Sequence, residues 1–241
     1  MKTSEKIVDK IQNLRDGITF TYSDLHLNSN EYIAAAKVLE RLVKSNAIKR
    51  ASTGLFYKPK KTVFGELRPN EEELIKSYIF EGNQRFAYIT GTALYNKMGL
   101  TTQVPKSIKV ACLNKRIVAK VGNVEIKPAK SYVTVTNQNY FLLELLDVIK
   151  DFNKIPDLDQ KMTISYLLKK LRALTEKEMD KLIKAALLYP PRVKALLGAL
   201  LDQLTFKENL TVLKKEMNPF SSFDYGIKKE YLPTIDKWNI N

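Results

Sequence analysis

The sequence predicts an α+β protein in three segments: residues 1–61, a central small mixed α/β unit with an antiparallel sheet over 62–136, and a helical C-terminal domain with an aromatic tail over 137–241. Three observations predict it. Residues 1–61 read as helix, short strand, short helix, longer helix, and then two strand-like runs around a turn. Residues 107–136 are rich in Val and Ile and are broken at Asn114-Lys115, Gly122-Asn123 and Pro128, the punctuation of short strands. From Tyr140 onward the apolar residues recur at helical spacing.

The first helix is expected over Thr3–Arg15, with Thr3 or Ser4 as cap, Ile7, Ile11 and Leu14 on one face, and Gly17 at its end. Phe20 and Tyr22 are spaced as in a short strand, and Ser23 is placed to cap a brief helix, Asp24–Leu27, with His26 in the turn that follows. Ser29 or Asn30 then caps a longer helix through Lys44. Its apolar positions are Ala35, Val38, Leu39, Leu42 and Val43, while Asn30, Ala34, Lys37, Arg41 and Lys44 lie on the opposite face. Asn46 suits a left-handed helix end. Ala47–Ala51 and Leu55–Lys58 are strand-like and are joined by Ser52, Thr53 and Gly54, a hairpin turn. Elements in that order make a winged helix-turn-helix, the hairpin being the wing.

Charge adds a partner. Forty Lys+Arg against 26 Asp+Glu give a net charge of +14, and from Lys44 to Lys61 there are six basic residues and no acid. Such a concentration suits a polyanion, here double-stranded DNA. Lys49, Arg50, Lys58, Lys60 and Lys61 sit on or beside the wing, with Ser52 and Thr53 at its turn. Together with Arg41 and Lys44 they are the expected backbone contacts. Base readout falls to the start of the third helix, where Asn30, Tyr32 and Lys37 are best placed, with Ser29 beside them.

The catalytic vocabulary is thin. The only histidine is His26 and the only cysteine is Cys112, which lies in an apolar run and reads as a buried thiol. A zinc site or Cys–His pair is thereby disfavoured, and neither catalytic residues nor metal nor cofactor is expected. The N-terminus, MKTSEKIVDKIQ, has no apolar h-region, and no apolar run approaches the roughly 18–20 residues of a membrane span. With one cysteine, the expectation is a cytoplasmic protein without membrane contact.

In the middle segment, Thr62–Pro69 reads as a connector, and Asn70 caps a helix, Glu71–Phe80, with three glutamates in its first turn. Arg85–Pro105 reads as a structural hinge: Phe86, Tyr88 and Thr90 alternate as a strand, Thr92 caps a helix from Ala93 to about Met98, and Gly99 ends it. Gly91 and Gly99 are too far apart to cradle a phosphate. Strands are expected at Ser107–Leu113, Arg116–Val121, Val124–Lys127 and Ser131–Thr136. Helices follow at Phe141–Phe152, Met162–Leu174, Glu176–Leu188, Pro191–Leu204 and Lys207–Met217, with Thr175 and Glu178 as a capping box and Leu187, Leu188, Leu196, Leu197, Leu200 and Leu201 as helical core. The tail, Asn218–Asn241, carries Phe220, Phe223, Tyr225, Tyr231 and Trp238, and either packs back or holds a partner.

Three of these pieces together resemble the antitoxins of AbiE-type (type IV) toxin–antitoxin systems: the N-terminal winged helix, its wing ending Gly54-Leu55-Phe56-Tyr57-Lys58-Pro59, and the segment Thr90-Gly91-Thr92-Ala93-Leu94 through Gly99-Leu100-Thr101-Thr102-Gln103-Val104-Pro105. The resemblance covers roughly the first 135 residues, with Asn46 standing where a glycine is common. It implies a transcriptional autorepressor that binds inverted repeats in its own promoter. It also implies an abortive-infection antitoxin that opposes a neighbouring nucleotidyltransferase-like toxin without a stable complex. Oligomeric state is left open. Two alternatives from other classes are a winged-helix protein that binds structured RNA, and an enzyme with a site in the central unit built from Tyr88, Thr92, Tyr95, Asn96, Thr101, Thr102 or Gln103.

Overall fold

The computed structural model describes residues 3–63, 65–206 and 210–241, and it is α+β. The chain forms two compact units, Met1–Phe86 with Val118–Ile126, and Ala87–Ile117 with Lys127–Asn241. This division differs from the expected 1–61, 62–136 and 137–241. Residues 62–86 join the first unit, and the central segment is shared between the two.

The first unit begins with α1 (Thr3–Gln12), β1 (Thr19–Phe20), a 3₁₀ turn at Ser23–Leu25, a second at Ser29–Glu31, and α2 (Tyr32–Lys44). The hairpin β2 (Lys49–Ser52) and β3 (Leu55–Tyr57) then completes an antiparallel sheet of order β1-β3-β2, with Thr19 opposite Tyr57 and Arg50 opposite Phe56. Ile7, Ile11, Phe20, Leu25, Ala35, Leu39, Ile48 and Phe56 pack as one core. Burial of each large side chain there is worth about 1.5–3 kcal/mol.

Several boundaries move for local reasons. α1 stops before Arg15 because the chain is captured by β3: Gly17, at φ +80°, donates its N–H to Lys58 O at 2.7 Å. Ser23 does not cap; the Asp24 carboxylate instead accepts from Thr21 N–H at 2.7 Å and its hydroxyl at 2.8 Å. Asn28, with extended backbone, precedes the turn that leads into α2, and its N–H donates to Glu31 Oε2 at 2.9 Å. Ser29 and Asn30 therefore lie inside that turn, not at its cap. Asn46 does take the left-handed conformation, at φ +56°.

The expected connector is a hairpin, β4 (Lys60–Thr62) and β5 (Gly65–Leu67), with Lys61 opposite Glu66. α3 (Glu71–Lys76) is capped by Asn70, whose side chain accepts from Glu73 N–H at 2.8 Å. It ends four residues before the expected Phe80, because Phe80–Glu81 and Gln84–Arg85 form a small hairpin of their own, β6 and β7. β10 (Ala119–Val121) pairs with the start of β11 (Val124–Lys130) to complete this unit.

In the second unit, β8 (Tyr88–Thr90) pairs antiparallel with β9 (Ile108–Cys112), and the end of β11 continues beside β9. Cys112 is buried. α4 (Thr92–Lys97) starts from Gly91, which occupies the cap position at φ +70°, so Thr92 is the first helical residue and not the cap. Ser131–Thr136 is not a strand: the Ser131 hydroxyl donates to Val133 O at 2.7 Å, and Asn139 folds 134–136 into a turn. Then come α5 (Tyr140–Asp151), α6 (Gln160–Arg172), α7 (Glu176–Ala186) with its Thr175–Glu178 capping box, α8 (Pro191–Gln203) and α9 (Leu210–Lys215). The start of the helix expected over Lys207–Met217 lies outside the described residues. Leu188 is 62% exposed, unlike the core leucines of α8, which are fully buried. No helix among the described residues is long and apolar enough to cross a membrane.

The aromatic tail packs back on α8. Trp238 is fully buried against Gly198, where an added Cβ would lie 2.1 Å from the indole ring. The Thr234 hydroxyl donates to Ala199 O at 2.7 Å, and the Tyr225 hydroxyl to Arg192 O at 2.9 Å. Phe220 does not join them and is 97% exposed.

Candidate nucleic-acid interface

The buried stripe of α2 is Ala35, Val38 and Leu39, so helical geometry turns Ile33, Ala36, Lys37, Glu40, Arg41 and Lys44 outward. All six are exposed. Lys37 and Arg41, four apart, carry charge on this face. Lys44 is paired with Glu40 at 3.0 Å, and that hydrogen bond holds the Glu40 carboxyl below its ordinary range. Ahead of them, Ser29 and Asn30 are exposed in the first turn. Tyr32 is half-exposed and its ring stacks on Tyr22, with centroids 6.2 Å apart. Ile33, 75% exposed, is the residue that the sequence reading missed. The signal was available: it stands one turn before Lys37 and opposite Ala35, a position that no core claims.

The hairpin is different. The run from Lys44 to Lys61 has no acid in sequence, but the fold brings two to it. Lys58 donates to Gln12 O at 3.1 Å and Leu14 O at 3.4 Å, capping the end of α1, and pairs with Asp16 at 3.0 Å. A cation at a helix C-terminus satisfies orphan carbonyls there, so this amine is spent inside the protein. Lys49 pairs with Glu66 from β5; their hydrogen bond raises the lysine and lowers the carboxyl. Ser52 shares a hydrogen bond of 3.0 Å with the Tyr78 hydroxyl. The expected contacts Lys49, Lys58 and Ser52 thus have internal partners.

Arg50 stays exposed, its guanidinium 5.3 Å from the centroid of the cross-strand ring of Phe56. Thr53 is exposed at the turn, where Gly54 supplies the positive φ. Lys60 and Lys61 are exposed on β4. Lys37, Arg41 and Lys60 are the expected site cations that face water without a carboxylate partner among the described residues; Arg50 and Lys61 are exposed as well, but their charges act on Glu40 and on Glu66, the latter from across the hairpin.

The second unit holds a polar cluster that the sequence reading did not assemble. Asp147, fully buried on α5, accepts from the Tyr88 hydroxyl at 3.0 Å and the Thr90 hydroxyl at 2.6 Å through one oxygen, and from Lys150 through the other. Tyr95 donates to Asp151 at 2.8 Å. Burial pushes the Asp147 carboxyl up against the pull of Lys150 and the hydroxyls, and burial together with the nearby carboxylates pushes Tyr88 and Tyr95 up. Both oxygens of Asp147 are engaged, and the cluster fastens β8 and α4 to α5. Asn96 instead donates to Thr101 O and Gln103 O in the following loop, so these polar groups do not converge on one point. Among the described residues no three His, Cys, Asp or Glu side chains are grouped to hold a metal.

A family model described as "Family of unknown function (DUF6088)" matches residues 6–170. No curated protein matches. Among solved structures, the "Crystal structure of RV2827C protein from Mycobacterium tuberculosis" is similar with a TM-score of 0.48 at 10% identity, over 93% of this chain and 86% of that one.

Proposed function

We propose that this chain, which belongs to the DUF6088 family, is a cytoplasmic DNA-binding autorepressor and the antitoxin of a type IV toxin–antitoxin operon. The N-terminal unit is read as a winged helix-turn-helix that places α2 in the major groove of double-stranded DNA. The observation that carries this reading is the outward face of α2, where Lys37 and Arg41 stand unpaired beside Ile33 and Ala36, small or apolar enough to approach base edges. Arg50, Lys60 and Lys61 supply phosphate contacts from the two hairpins that follow. The antitoxin role rests on the resemblance of the wing and of Thr90–Pro105 to AbiE-type antitoxins. A nucleotidyltransferase-like toxin would be opposed without a stable complex. The chain acts by binding and not by catalysis.

The test is a gel shift of the full chain with its own upstream region, against an unrelated duplex as competitor. Preferential retention of the upstream region supports the reading. Equal competition by the unrelated duplex removes the repressor role. Co-expression with the gene next door then tests the antitoxin role separately, by whether growth is rescued.

A further inference from the structure

We propose that the second unit binds a small amphipathic carboxylate in a pocket between the start of α5 and the end of α7. The pocket has a volume of about 360 Å³, near the lower end of the range for small-molecule sites. That space suits a body of roughly ten to fifteen heavy atoms.

Its floor is apolar. Leu142, Leu143 and Ala185 line it from the buried side, and Leu188, 62% exposed, forms part of its lip. A leucine left that far in water at the mouth of an apolar pocket gains by being covered. The charge of the lining is one-sided: it contains Lys181 and Lys184 and no carboxylate. The nearest acid along α7, Asp180, is exposed and lies outside the lining, and Glu178 is already held by the N–H of Thr175 at 2.9 Å and its hydroxyl at 2.8 Å. Lys181 reaches across to Gln138 Oε1 at 3.4 Å, a long neutral contact that a carboxylate would replace with a charge-assisted one. The Asn139 side chain is committed to its turn, bonding Thr136 N–H and Thr134 O, both at 2.8 Å, so the polar edge is fixed before any ligand enters. An apolar floor with two amines on its rim calls for an apolar body carrying one negative group. The pocket would take its ligand whether or not the chain binds DNA.

The experiment is isothermal titration of the full chain with decanoate and, separately, with 1-decanol. Decanoate should bind saturably and about tenfold more tightly than the alcohol, the difference one charge-assisted contact makes. In the Lys181→Gln/Lys184→Gln variant, whose changes are on an exposed helix face, the two affinities should converge. In Leu188→Glu both should weaken. Absence of saturable decanoate binding, or equal affinity for acid and alcohol in the unchanged protein, overturns the proposal. So does a preference that survives in the double lysine variant, which would mark the general attraction of a basic protein for an anion. Binding of an acidic peptide at this pocket in place of decanoate would also overturn it.

Discussion

Replacing Lys37, Arg41, Lys60 and Lys61 by alanine should remove four exposed cations of the first unit that are not held in a close ion pair, without removing any partner of a buried group. Each phosphate neutralised by a protein cation releases a counterion, which contributes about 0.9 to the slope of log affinity against log salt. Four such contacts amount to a slope change of about 3.6, so between ~50 and ~200 mM salt the unchanged protein should lose about 150-fold more affinity than the variant. The contrasting variant is Lys49→Ala/Lys58→Ala. Those amines already face Glu66 and Asp16, so their removal should flatten the slope by less than about one unit. It should instead loosen the end of α1 and the contact of β2 with β5, and only slightly, because solvent screens partly exposed pairs. Fluorescence anisotropy with any labelled duplex measures the slopes, because this component of binding is independent of sequence, and urea unfolding measures the stability. An unchanged slope in the quadruple variant would move the DNA surface elsewhere. Equal flattening in the double variant would mean that the ion pairs open on DNA, and the division drawn here between free and internal cations would fail.

On the same helix, Asn30→Ala and Ile33→Ala should each leave binding to random duplex unchanged and reduce preference for the upstream region, by about 1–3 kcal/mol for a residue that meets a base edge; equal losses on both duplexes in competition assays would count against base readout. Gly198→Ala should drive the ring of Trp238, the single tryptophan, from its slot, costing about 3 kcal/mol of overpacking against a gain of roughly 1 kcal/mol in helix propensity. Red-shifted tryptophan emission and a lowered unfolding midpoint report it; unchanged emission would show that the tail does not sit against α8. Burial pushes Tyr225 up to about 12 and also raises Tyr88, Tyr95 and Tyr189, whereas the ordinary value is 10.0. The folded chain therefore holds these protons more tightly than the unfolded one, so their stabilisation is complete below pH 10 and is lost as pH rises beyond it. Tyrosinate absorbance should show these four ionising together with loss of helical circular dichroism; early ionisation in a still-folded chain would contradict their burial.

The sequence by itself determined whatever is settled within a few residues along the chain. The Asn70 cap, the Thr175–Glu178 box, the left-handed Asn46 and the turn at Gly54 all satisfy backbone groups three or four residues away, so the residue types alone reveal them. The long helices after Tyr140 were legible because their apolar period persists over several turns. Short segments were not. The β4–β5 and β6–β7 hairpins have two or three residues per strand, too few to show alternation, and Ser131–Thr136 alternates like a strand yet is tied into turns by Ser131 and Asn139. Only the tertiary structure decided which charges are free. Lys58 and Lys49 read as wing cations until Asp16, the end of α1 and Glu66 were brought to them, and Asp147 gained its meaning from Tyr88, 59 residues earlier in the chain. The physical reason is that a charge in sequence has no partner until packing supplies one. Coulomb attraction and hydrogen bonding depend on distance in space, and packing of the two cores sets that distance.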